Sequence, residues 1–114
     1  MNRGAQFLPQ RGDTFLAKMT QATTAAPAIG SASINDLGVT PSLGRTSAGI
    51  YTVTATGKFT VGKTFARVTP SKATPVTCNI VYTSVDVITL NFSDTATPSV
   101  ADSGDFDLEI FVAD

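Results

Sequence analysis

The 114-residue chain carries eight Lys and Arg, nine Asp and Glu, no His, no Trp and one Cys, for a formal net charge of −1. Without His it lacks the usual general base near neutral pH, and one Cys excludes an internal disulfide or a thiolate metal cluster. No apolar run reaches the ~20 residues that a membrane helix needs, no secretory h-region follows Met1, and the slightly negative balance argues against nucleic acid.

The first 28 residues read as an arm rather than as part of a sheet, being rich in Ala, Thr, Gln and Arg. Within them, Asp13–Thr20 predicts a short helix capped by Asp13 or Thr14, with Phe15, Leu16 and Met19 on one face. So short a helix forms only when docked, which makes these three side chains candidate contacts with a neighbouring subunit. Thr23-Thr24-Ala25-Ala26-Pro27 reads as a linker. From Ile29 onward the chain reads as strands and turns. Ile29–Ile34 and Gly44–Ser47 are weak strand candidates. Ile50–Thr56 alternates strictly, with Tyr51, Val53 and Ala55 facing one way. Lys63–Thr69 is stopped by Pro70. Val76, Cys78, Ile80 and Tyr82 form the next inward stripe, and Ile88, Leu90 and Phe92 the one after it. The last strand is the clearest: Phe106, Leu108, Ile110 and Val112 face inward, while Asp105, Asp107, Glu109 and Phe111 face outward. Turn residues recur every 8–12 positions, as in all-β domains. The fold class expected is all-β, an antiparallel β-sandwich or jelly roll over 29–114 preceded by an extended N-terminal arm at 1–28.

Charge is divided along the chain. Residues 1–75 hold all eight bases with only Asp13 and Asp36, a sum of +6. Residues 76–114 hold seven acids (Asp86, Asp94, Asp102, Asp105, Asp107, Glu109 and Asp114) and no base, a sum of −7. The two halves can pair within one fold or present opposite faces to copies of the chain. In the second case Arg45 and Arg67 of the basic strands meet Asp105, Asp107 and Glu109 of the acidic ones. Phe111, Tyr51, Phe59 and Phe65 are the aromatic candidates for anchoring such a contact.

Other motifs reduce to ordinary structure. Gly57–Thr64 fits the phosphate-loop pattern GxxxxGK[ST], but the segment after it alternates and ends at Pro70, so the helix that completes a phosphate site is missing. Gly57 and Gly62 then read as turn glycines. Asp105, Asp107 and Glu109 put three carboxylates on one strand face, yet neighbours at i and i+2 lie ~6.5–7 Å apart, too far to share a Ca²⁺ ion without a loop. They read as a solvated face that discourages edge pairing. Arg11-Gly12-Asp13 is the integrin tripeptide by chance, Asn91-Phe92-Ser93 is a glycosylation sequon at a strand end, and Cys78 is a small core residue. Arg3, Arg11 and Lys18 suggest a transit peptide, but Gly4, Pro9 and Gly12 interrupt its helix. No cofactor or catalytic set is expected.

The polar leader, Gly49-Ile50-Tyr51-Thr52-Val53-Thr54, the strand pair Val76–Phe92, the loop Ala96–Ser103 and the closing Gly104-Asp105-Phe106-Asp107-Leu108-Glu109-Ile110 form a pattern over residues 40–114. That pattern resembles the small all-β structural proteins of tailed bacteriophages, capsid decoration (cement) proteins or tail-fibre domains. The resemblance implies a non-enzymatic virion protein on the capsid surface, partnered by itself as a homotrimer and by the major capsid protein or another virion protein. Its alternative is a tail-fibre or glycan-binding jelly-roll module. The resemblance carries no functional residue to a numbered position.

Overall fold

The computed structural model describes residues 12–71, 75–94, 99–100 and 102–114. Residues 1–11 of the expected arm, with Arg3 and Arg11, lie outside the described residues, as do Lys72 and part of the 96–103 loop. Among the described residues nine strands run in order: β1 (Gly12–Thr20), β2 (Ala28–Asn35), β3 (Ser42–Ser47), β4 (Ile50–Thr54), β5 (Thr64–Pro70), β6 (Val76–Tyr82), β7 (Val87–Asp94), β8 (Ser99–Val100) and β9 (Phe106–Ala113). Among the described residues there is no helix. The chain is all-β, and two antiparallel sheets pack as a sandwich.

One sheet has the order β2-β1-β9-β5 and the other β3-β4-β7-β6, with β8 also on β7. Because β6 pairs with Ser93 and Asp94 along one edge of β7, β8 must take the opposite edge, beyond the end of β4. The chain changes sheet between β2 and β3, β4 and β5, β5 and β6, and β8 and β9.

Strand alternation decides what is buried. Tyr51 and Val53 from β4, Ile88, Leu90 and Phe92 from β7, and Phe106, Leu108, Ile110 and Val112 from β9 all enter one core. Each set occupies every second position, as a pleated strand requires. Val76, Cys78 and Ile80 of β6 are half-buried against that core. Tyr82, expected to continue this stripe, is instead half-exposed and donates no side chain to the core. Its hydroxyl accepts the Ala66 N–H of β5 at 2.9 Å and so joins the two sheets at their open edges.

The expected helix at Asp13–Thr20 is corrected. This segment is β1, an inner strand between β2 and β9, and its register with β9 is unbroken from Gly12↔Ala113 to Met19↔Phe106. The burial period is therefore two: Phe15, Ala17 and Met19 are in the core and Leu16 faces outward. Hydrogen bonds to a neighbour on each side outweigh the weak helix preference of an eight-residue segment. The stretch read as a linker is the turn that returns the chain into β2. Gly12 is fixed by packing, since a Cβ there would collide with the Val112 carbonyl and meet the Phe111 ring at 2.9 Å.

Replacing a core side chain of β1 tests this placement. Phe15→Ala is expected to cost about 3–5 kcal/mol, whereas Leu16→Ala should cost under about 1 kcal/mol, both read from urea unfolding midpoints. Similar costs at the two positions would return the segment to a helix face.

Candidate functional site

Two clusters of polar and aromatic side chains stand out, and they differ in kind. The first is a partly buried network around Tyr51. The Tyr51 ring is fully buried between Phe92 (5.5 Å between centroids) and Phe106 (6.5 Å), so its hydroxyl needs protein partners. It donates to Asp102 Oδ1 at 2.9 Å and accepts the Ser103 N–H at 2.9 Å. Asp102 also accepts both Arg45 Nε and Nη2 at 3.0 Å, and the Gly49 N–H at 3.0 Å. Gly49, with φ of 73°, makes the β3–β4 turn that aims this N–H inward.

The network continues through the loop before β9. The Gly104 N–H donates to Gln21 Oε1 at 2.8 Å, and Gln21 Nε2 donates to the carbonyls of Thr23 and Ala25, each at 3.0 Å. The Gln21 N–H in turn donates to Asp105 Oδ1 at 3.0 Å. The bidentate Arg45 contact, opposed by desolvation, holds the Asp102 carboxyl down at about 2. The same contact raises Arg45, and burial pushes the Tyr51 hydroxyl above its ordinary value. Around neutral pH these groups keep one protonation state each. The cluster is a fixed framework tying three turns together.

The second cluster covers the outer face of the β2-β1-β9-β5 sheet. Register assigns it in rows: Thr14, Phe111 and Phe65 in one, then Ile34, Leu16, Glu109 and Arg67, then Lys18, Asp107 and Thr69. Phe65 is 59% exposed and stacks on Phe111 at 6.4 Å between ring centroids. Beside them lies a cleft of 240 Å³ bounded by Phe65, Arg67, Tyr82, Glu109 and Phe111. Across Tyr82 a second cleft of 230 Å³ reaches Val61 and Phe59.

Five of the nine expected contact residues, Leu16, Arg67, Asp107, Glu109 and Phe111, thus share this one face. Phe15 and Met19 do not, because both are core side chains of β1. Tyr51 and Phe59 are likewise buried, so of the aromatic candidates Phe65 and Phe111 remain on the surface. Arg45 and Asp105 are engaged in the network. The division of charge is closed in part within the chain: β9 lies between β1 and β5, and Lys18 Nζ meets Asp107 Oδ1 at 3.0 Å. That pair is exposed and contributes at most about 1 kcal/mol.

The phosphate-loop match is a turn between β4 and β5. Four of its N–H groups are already used: Gly57 donates to Asp86 Oδ1, Lys58 to Ala55 O, Phe59 to Val85 O and Lys63 to Thr60 O. Gly57 and Gly62 have φ of 72° and 79°, as turn glycines do, and a strand follows instead of a helix. Cys78 is half-buried, and burial pushes its thiol up to about 11. Asn91 of the sequon lies within β7, paired to both β4 and β6. Among the described residues no group of three or more Cys, Asp or Glu side chains converges as a metal site.

Sequence reading did not find Gln21, Ser103 or the Tyr51–Asp102 contact. One signal was present. The inward positions 15, 17 and 19 extend by the same period to Gln21, a polar residue that must be satisfied if it is buried.

Comparison with protein-family models, with curated proteins and with solved structures finds no match to this chain.

Asp102 gives the fold a signed pH dependence. Its folded pKa lies below the ordinary 3.8, so its contribution is present above about pH 4 and is lost as pH falls towards 2. Asp102→Asn should lower stability by roughly 1–3 kcal/mol at pH 7 and flatten the loss between pH 4 and 2. Urea unfolding at pH 7, 4 and 2.5 reads both effects, and parallel pH profiles for parent and variant would remove Asp102 from this role.

Proposed function

We propose that the chain is a virion structural protein, a capsid decoration (cement) protein that binds and stabilises a shell without catalysis, assembling with copies of itself. The observation that carries this reading is the outer face of the β2-β1-β9-β5 sheet. An exposed, stacked aromatic pair there adjoins a row that holds Arg67 and Glu109 together with Leu16 and the exposed Ile34. Interfaces between proteins are built in this way, from aromatic and Arg anchors with a polar surround. A rigid sandwich whose partly buried network holds its protonation state also suits a load-bearing part. The resemblance in residues 49–54, 76–92 and 104–110 supplies the virion setting, and it implies a homotrimer partnered by the major capsid protein.

A second reading is a tail-fibre or glycan-binding module. What favours it is the pair of clefts either side of Tyr82, where aromatic rings line a concave surface as sugar sites often require. Purified full-length chain mixed with emptied phage heads separates the two. The decoration reading expects co-sedimentation with the heads and a raised temperature of head disruption. Binding to a glycan array with no attachment to heads would overturn it in favour of the second reading.

A further inference from the structure

We infer that the Phe65–Phe111 end of this face packs against the same face of a second copy, about a two-fold axis parallel to β5 and β9. The inference rests on the reading of the chain as an assembly module, names the occupant of that face, and sets a two-fold pair against the homotrimer that the resemblance implies.

Phe65 and Phe111 are direct partners across β5 and β9, and so are Arg67 and Glu109. Both pairs point outward, and they are adjacent along the strands. Place a two-fold axis in the contact plane, midway between β5 and β9 and parallel to them. It sets β5 of each copy over β9 of the other without shifting position along the strand. Phe65 then meets Phe111 of the second copy, and Arg67 meets Glu109 of the second copy, each contact occurring twice. One axis satisfies the aromatic and the charged pair together, which is the self-complementarity an isologous contact needs. Aligned packing of sheet faces is also a common geometry.

The charges are available for this. The ion pairs formed among the described residues are Lys18–Asp107 and Arg45–Asp102, and neither uses Arg67 or Glu109. Arg67 and Glu109 are both exposed. Strand addition at the β5 edge is the competing way for two copies to meet, and it is obstructed. The Tyr82 hydroxyl already occupies the Ala66 N–H, and Pro70 at the end of β5 has none to give. What β5 offers a second copy is its face.

The test exchanges charges on full-length chain. The parent is expected to dimerise with rising concentration, read as mass by light scattering or sedimentation. Arg67→Glu and Glu109→Arg should each weaken the dimer by about tenfold or more, with unchanged circular dichroism, because like charges then oppose each other twice. An equimolar mixture of the two variants should recover parent-like affinity as a mixed dimer, since one copy then presents two carboxylates and the other two guanidinium groups. Contacts within a single chain cannot be rescued by mixing. A ring of three cannot be rescued fully either, because alternation fails to close. Phe65→Ser should also weaken the parent dimer. A chain that stays monomeric at all concentrations, a trimeric parent, or variants that mixing does not rescue would each overturn the two-fold contact. A monomer that still binds heads would do so while leaving the decoration reading intact.

Discussion

The Tyr51 hydroxyl is the point on which the sandwich depends. A tyrosine ring in the centre of an apolar core brings a polar atom with it, and a buried hydroxyl without partners costs more than its hydrogen bonds contribute when made. Here the partners come from Asp102 and Ser103, where the chain returns from one sheet to the other. Asp102 is itself stabilised by Arg45 of β3 and by the backbone of the β3–β4 turn. Gln21 then carries the same chain of bonds to the β1–β2 turn. The aromatic packing and the three turns are thus conditions of one another. A partly buried network of this kind is stable when complete and costly when any member is lost.

The order β2-β1-β9-β5 changes the meaning of the charge distribution. Along the chain, bases precede acids almost without exception. In space, the acidic last strand is inserted between two strands from the basic part, so that Lys18 faces Asp107 and Arg67 lies opposite Glu109. Segregation in sequence becomes alternation across a sheet. Long-range attraction between halves of neighbouring copies is therefore weakened at its source. What remains for a partner is local, a few uncommitted charges around an aromatic pair.

Most strands were legible because one face of each is buried and the other wet, which writes a period of two into the residues. β4, β7 and β9 show it without interruption. β1 was misread for a physical reason. Phe15-Leu16-Ala17-Lys18-Met19 has an apolar residue at an outward position and a small one at an inward position, so local spacing favours a helix. The pairing that decides the matter comes from Phe106–Ala113, about ninety residues later. Short-range patterns cannot carry that information. The outer face was read in part, since Phe111, Asp107 and Glu109 follow from alternation on β9 alone. Their grouping with Leu16 and Arg67 depends on strand order, which no local pattern specifies. The network was invisible for the same cause: Tyr51 and Asp102 are 51 positions apart, and Gln21 and Gly104 are 83.

The edge and the face of β5 are adapted in opposite ways. An edge strand is an open template, and continued strand addition leads to fibres rather than to finite assemblies. β5 has that template blocked by a hydroxyl from the other sheet and by a terminal proline. Its face, by contrast, keeps a phenylalanine largely in solvent next to a second ring, an arrangement that loses free energy until something covers it. A contact through faces related by a two-fold axis is consumed by its own formation, since each copy has one such face and the pair leaves none exposed. Blocking the edge while leaving the face open therefore selects closed association over open growth.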